Sequence, residues 1–110
     1  MAFASPKADS VEFTRGAVST FRSSEAVERG FCPACGTPLT FRRVGADTLG
    51  LTLGSLDEPG AVSPVFQLGV ESRVGWVASA LALPGTAIED WLSSRGVSSP
   101  ESRQHPDHET

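Results

Sequence analysis

Cysteine is scarce in this chain, with two residues, Cys32 and Cys35, among 110. Two thiols are too few for a disulfide-stapled scaffold. No apolar run reaches the roughly 18 residues that a membrane-spanning helix requires. The opening residues, Met1 to Ser10, lack the apolar stretch of a secretory signal. These absences point to no membrane and to a reducing, cytoplasmic setting.

Positive charge is also scarce, and the formal net charge is −4. Residues 1–45 carry six basic and four acidic side chains, and residues 46–110 carry three basic and nine acidic, so a net +2 is followed by −6. Arg42-Arg43 is the only adjacent basic pair. This balance argues against nucleic acid as a partner, and the pair reads as an ordinary solvated face.

A chain of this length with 39% hydrophobic residues can form a single small domain with a modest core. That domain is expected over residues 1–97. Residues 98–110 are serine, proline, charge and histidine, and read as a disordered tail.

Extended segments outnumber helical ones. Val11 and Phe13 alternate with polar residues before Arg15-Gly16, and residues 17–22 resume the pattern, which predicts a strand, a turn and a strand. Leu39 and Phe41 alternate with Thr40 and Arg42. After a turn at residues 44–47, Leu49, Leu51 and Leu53 predict a half-buried strand paired with the one before, its leucines on one face and Gly50, Thr52 and Gly54 opposite. Asp57-Glu58-Pro59-Gly60 reads as a turn. Residues 62–70 form another extended run, and Trp76 to Leu83 a short apolar segment stopped by Pro84-Gly85. One helix is expected near the C-terminus. Thr86 and Glu89 are spaced as a capping box, Ile88, Trp91 and Leu92 share a face, and Gly96 can end the helix. Trp91 is then a packing residue.

The chemistry centres on Cys32-Pro-Ala-Cys35-Gly36. Two thiols three positions apart can hold one metal ion at a bend, and Gly36 can take the backbone angles that close it. Two other readings compete: inert thiols, and a redox dithiol. A thioredoxin-like dithiol needs a helix running on from the second cysteine, whereas Thr37-Pro38 followed by Leu39 and Phe41 indicates a strand. A structural zinc wants four ligands. His105 and His108 are the only histidines and fall in the expected tail; a homodimer pooling four cysteines is geometrically feasible. No other constellation supplies chemistry. Asp57-Glu58 is a turn pair, and the glycines lack the spacing of a phosphate loop.

Several stretches in order carry a resemblance: Phe13-Thr-Arg-Gly16, Phe21-Arg-Ser-Ser24, Gly30-Phe-Cys-Pro-Ala-Cys-Gly-Thr37, Leu53-Gly-Ser-Leu-Asp-Glu-Pro59 and Trp76. Together they resemble the glutathione-dependent formaldehyde-activating enzyme family, whose domain also occurs in centromere protein V. The likeness runs from about Phe3 to about Trp91. It implies a mainly β fold, a tent-like arrangement of small sheets around zinc, with the one short C-terminal helix. It also implies that Cys32 and Cys35 pair with a CxC element to bind structural zinc, while a separate three-cysteine cluster holds the zinc associated with activity. Neither of those elements occurs in this sequence, so the family domain is expected to be N-terminally incomplete here. Two functions follow as expectations. One is a zinc-dependent carbon-sulfur lyase acting on glutathione-aldehyde adducts; the other is a non-catalytic, zinc-binding or interaction protein, for which a homodimer is one option.

Overall fold

Leu39 and Phe41 do sit on a strand, at the centre of a five-stranded antiparallel sheet in the computed structural model, which describes residues 1–101. The strands are β1 (Phe3–Ala4), β2 (Ser19–Ser24), β3 (Val27–Phe31), β4 (Pro38–Arg43) and β5 (Gly50–Thr52), in the spatial order β1-β5-β4-β3-β2. One short helix, α1 (Ile88–Ser94), lies near the C-terminus, so the protein is mainly β as expected. The chain divides into two units, Met1–Phe66 and Gln67–Thr110.

In the first unit, β2 and β3 form a hairpin closed by Glu25-Ala26, with Ser24 Oγ accepting from the Ala26 amide at 3.3 Å. β3 and β4 are joined by the cysteine loop, and β4 and β5 by residues 44–49. Gly45 in that second loop has a φ of 81°, a left-handed conformation that glycine adopts without a Cβ penalty. The N-terminal segment lies antiparallel along β5. Amide-carbonyl bonds from Leu53 to Ala2, Leu49 to Pro6 and Ala8 to Asp47, of 2.7–3.0 Å, tie it down at both ends.

The register puts two sets of side chains on opposite faces. Phe21, Arg29, Phe41 and Gly50 follow one another across one face. There the Phe3 and Phe41 rings lie 5.7 Å apart, and the Arg29 guanidinium sits 5.3 Å from the Phe41 ring. Thr20, Gly30, Thr40 and Leu51 form a row on the other face, beside a parallel row of Arg22, Glu28 and Arg42.

The core is thin and built from small residues. Among the described residues Leu53 is the one buried large hydrophobe, accompanied by Gly30, Gly50, Thr40 and Thr52. Burying a threonine hydroxyl requires a partner. Thr52 donates to the Pro38 carbonyl at 2.9 Å, and Ser55 donates to the Thr52 carbonyl at 2.8 Å, which pins the end of β5 to the start of β4.

Several expectations are corrected. Residues 11–14 form no strand; β2, the partner expected for them, stands at the end of the sheet and pairs with β3 alone among the described residues, so the alternation at Val11 and Phe13 is not used for a hairpin. Residues 62–69 are likewise irregular, with Pro64 lacking a ladder donor and Gly69 at a φ of 76°. The β5 leucines do not form the buried side of their strand. Gly50 is buried beside Phe3 and Phe41 and Thr52 is buried with its hydroxyl bonded to Pro38, whereas Leu51 is half-buried and Leu53 belongs to a 3-10 turn, Leu53–Ser55.

The second unit, through residue 101, has no strand among its described residues. Gly75–Ala82 forms a 3-10 helix, and α1 is capped differently from expectation. Ala87, not Thr86, is the N-cap and offers no side-chain bond, so the capping box is absent. Glu89 and Asp90 do fall in the first turn. The other end follows the sequence. Gly96 has a φ of 68°, its amide bonds the Ser93 carbonyl and the Val97 amide bonds the Leu92 carbonyl, both at 3.0 Å, which is a Schellman closure. The Trp91 ring carries the Arg95 guanidinium 4.4 Å from its centre.

Candidate metal centre

Cys32 follows the last residue of β3, and Cys35 stands three residues on in the turn that leads to β4. Two backbone bonds shape this turn. The Gly36 amide donates to the Cys32 carbonyl at 2.8 Å, and the Cys32 amide donates to the Thr37 carbonyl at 2.9 Å. Closing so tight a bend requires a left-handed residue, which Gly36 supplies with a φ of 76°. Pro38 then opens β4, so a strand and not a helix follows the second cysteine. The helix N-terminus that activates a thioredoxin-type thiol has no counterpart at this position.

The loop places both thiols on one bend. Cys32 is half-buried and Cys35 exposed, and both are free thiols. Cys35 Sγ lies 3.1 Å from Thr37 Oγ1. The Thr37 hydroxyl, then the Thr37 backbone, then the Cys32 side chain hold the Cys35 thiol below its ordinary pKa, against a smaller opposing effect of burial. Hydrogen bonds that favour the thiolate favour the form that ligates metal. Thr37 is the one contributor to this site that the sequence reading left aside. A hydroxyl two residues after a cysteine, at the end of a tight turn, was the available signal.

Two soft sulfur donors fit half of a tetrahedral zinc set. Among the described residues no group of three or more histidine, cysteine or acidic side chains gathers in a way that could hold a metal ion. His105 and His108 lie outside the described residues. Asp57 and Glu58 are exposed on a bend, where Glu58 O accepts from the Ala61 amide at 3.0 Å, so they stand as the turn pair expected. No described helix is long and apolar enough to cross a membrane.

The sequence profile of the glutathione-dependent formaldehyde-activating enzyme family matches residues 1–72. The chain belongs to this family. The match takes in the whole five-stranded sheet and the cysteine loop of this glutathione-dependent formaldehyde-activating family member, and stops short of Trp76 and Trp91. No curated protein and no solved structure gave a match.

Proposed function

We propose that this protein serves the glutathione-adduct chemistry of its family as a zinc-binding protein, with Cys32 and Cys35 forming half of a structural zinc site. The observation that carries this reading is the loop itself. Two free thiols share one glycine-closed bend, and one of them is held towards its thiolate form by Thr37. A tent-like arrangement of small sheets around that metal is the fold expected of the family. The remaining two ligands come from outside the described residues, the sequence offering His105 and His108 or the same two cysteines of a second copy.

A zinc held by four protein ligands supplies folding free energy and no open coordination position. Its contribution here would be to clamp the β3–β4 connection. A catalytic zinc needs three protein ligands and a free position. The described residues hold no such set, so no bond-making step of a carbon-sulfur lyase is assigned to them.

Cobalt(II) substitution tests the reading. The metal-free protein titrated with cobalt(II) is expected to develop a thiolate-to-cobalt charge-transfer band together with the visible bands of a tetrahedral ion. Both should vanish in Cys32→Ser/Cys35→Ser. A titration without a charge-transfer band would remove the metal site from the account.

A further inference from the structure

One side of the sheet ends in an open strand. β2 has β3 along one edge, and among the described residues nothing pairs with the other. In an antiparallel sheet such an edge presents a row of amides and carbonyls spaced to receive another extended strand. The opposite end of the sheet is the two-residue β1, too short to offer such a row. β2 is six residues long, holds no proline or lysine, and is exposed from Thr20 to Ser24. Arg22 is its one charge, and its bulge falls between Arg22 and Ser24, at the hairpin end, which leaves Ser19 to Arg22 in regular register. Phe21 stands in the middle of that stretch, 64% exposed, at the outer end of the row Phe41, Arg29, Phe21.

These features are self-complementary. Two antiparallel copies of one strand are related by a two-fold axis perpendicular to the sheet, which keeps like faces on the same side and makes one residue face its own copy. Three residues could lie on that axis. Arg22 would set two guanidinium groups directly opposite each other, which is destabilising. Thr20 would set Phe21 opposite Ser19 and leave the ring without an apolar partner. Phe21 on the axis sets ring against ring and Thr20 opposite Arg22, with no like charges directly opposed. We propose that β2 pairs antiparallel with β2 of a second copy, about a two-fold axis at Phe21, to make one continuous sheet from the two five-stranded ones. Strand addition of this kind takes its affinity from main-chain hydrogen bonds and its register from the side chains. A contact of this size is at the low end of interface areas, so the dimer is a weak, reversible one.

The pairing has a consequence for the cysteine loop. Cys32 follows Phe31, which lies opposite Ser19, so each loop is displaced along the strands from the axis and set one strand inward. The two loops of the dimer fall on opposite sides of the axis, roughly 20 Å or more apart at the spacings of a β-sheet. They are too distant to share one zinc. The β2 contact is therefore independent of the metal site.

Sedimentation velocity of the full chain, in chelator and reductant and at protein concentrations from about 10 μM to about 1 mM, tests the proposal. Wild type and Cys32→Ser/Cys35→Ser are both expected to pass reversibly from monomer to dimer. Phe21→Glu should raise the dissociation constant about tenfold or more. Within one chain the new carboxylate faces Arg29, and across the axis it faces its own copy. Arg43→Gln, on the same face but two strands in from the edge, should leave the constant within about twofold. Well-dispersed amide spectra establish that each variant is folded. A wild type that stays monomeric over the whole range, or a Phe21→Glu variant that dimerises as the wild type does, overturns the proposal. A dimer lost in Cys32→Ser/Cys35→Ser overturns it as well, since pairing through β2 does not use the thiols. Zinc content does not enter the readout, so the metal site and the β2 contact stand or fall separately.

Discussion

Gly30→Val is expected to remove a large part of the stability of the sheet unit at 25 °C, about 3 kcal/mol or more. A Cβ at this position would collide with the Thr40 hydroxyl and lie 2.6 Å from a Val18 methyl. Both neighbours are branched at Cβ, with few rotamers to move into, and Gly30 sits in a strand flanked on both sides, so the backbone cannot retreat. Overpacking of this kind costs about 1–3 kcal/mol and sometimes more. Against it stands a unit of 66 residues, for which the usual stability per residue gives about 3–10 kcal/mol in total. A valine, with two further methyl groups to place, should consume about 3 kcal/mol or more, and Gly30→Ala should fall between it and the wild type. Gly54 has open space around it, so Gly54→Ala should stay within about 0.5 kcal/mol of the wild type. Urea denaturation followed by tryptophan-independent circular dichroism reads all three. A Gly30→Val midpoint equal to that of the wild type would show that the β3–β4 packing is wrongly described.

The second large effect concerns the cysteine loop. Saturating zinc should raise the melting temperature of the wild type by on the order of 15 °C or more, and should leave Cys32→Ser/Cys35→Ser unmoved. A ligand at a thousand times its dissociation constant stabilises the folded state by about 4 kcal/mol, and 1 kcal/mol moves the midpoint of a domain this small by roughly 4–8 °C. The size of the effect follows from the thin core. With Leu53 the one buried large hydrophobe among the described residues, apolar burial has less to offer than in a larger domain, and a clamp between β3 and β4 counts for more. In metal-free protein the double substitution should change little, because Cys35 is exposed and Cys32 half-buried. Equal zinc-induced shifts in wild type and variant would place the metal elsewhere.

Much of the site and part of the fold were legible in the residues. Gly36 announced the bend and Pro38 the strand that follows it, because both residues restrict the backbone locally. The Leu39-to-Phe41 alternation located β4, and Gly96 located the end of α1 for the same local reason. What escaped depends on distant partners. β3 reads Val-Glu-Arg-Gly-Phe, with a charged centre and a glycine that break the apolar alternation; it is a strand because β2 and β4 hold it from both sides. β1 is two residues long and exists only through its bonds to β5. Conversely, Val11 and Phe13 alternate correctly and yet do not pair with the outer edge of β2, so alternation alone did not make a strand. The pairing of Glu28 with Arg42 across β3 and β4 was hidden for the same reason. Those residues are 14 positions apart in the sequence and meet only through register.

The most direct test is native mass spectrometry with metal quantification on freshly purified wild type and Cys32→Ser/Cys35→Ser. Zinc bound by the wild type and lost in the variant is the predicted result. One zinc per two chains would identify a second copy as the source of the missing ligands, and one per chain would identify other donors in the same chain. A wild type that carries no zinc, or a variant that carries as much, would contradict the zinc site on the β3–β4 loop.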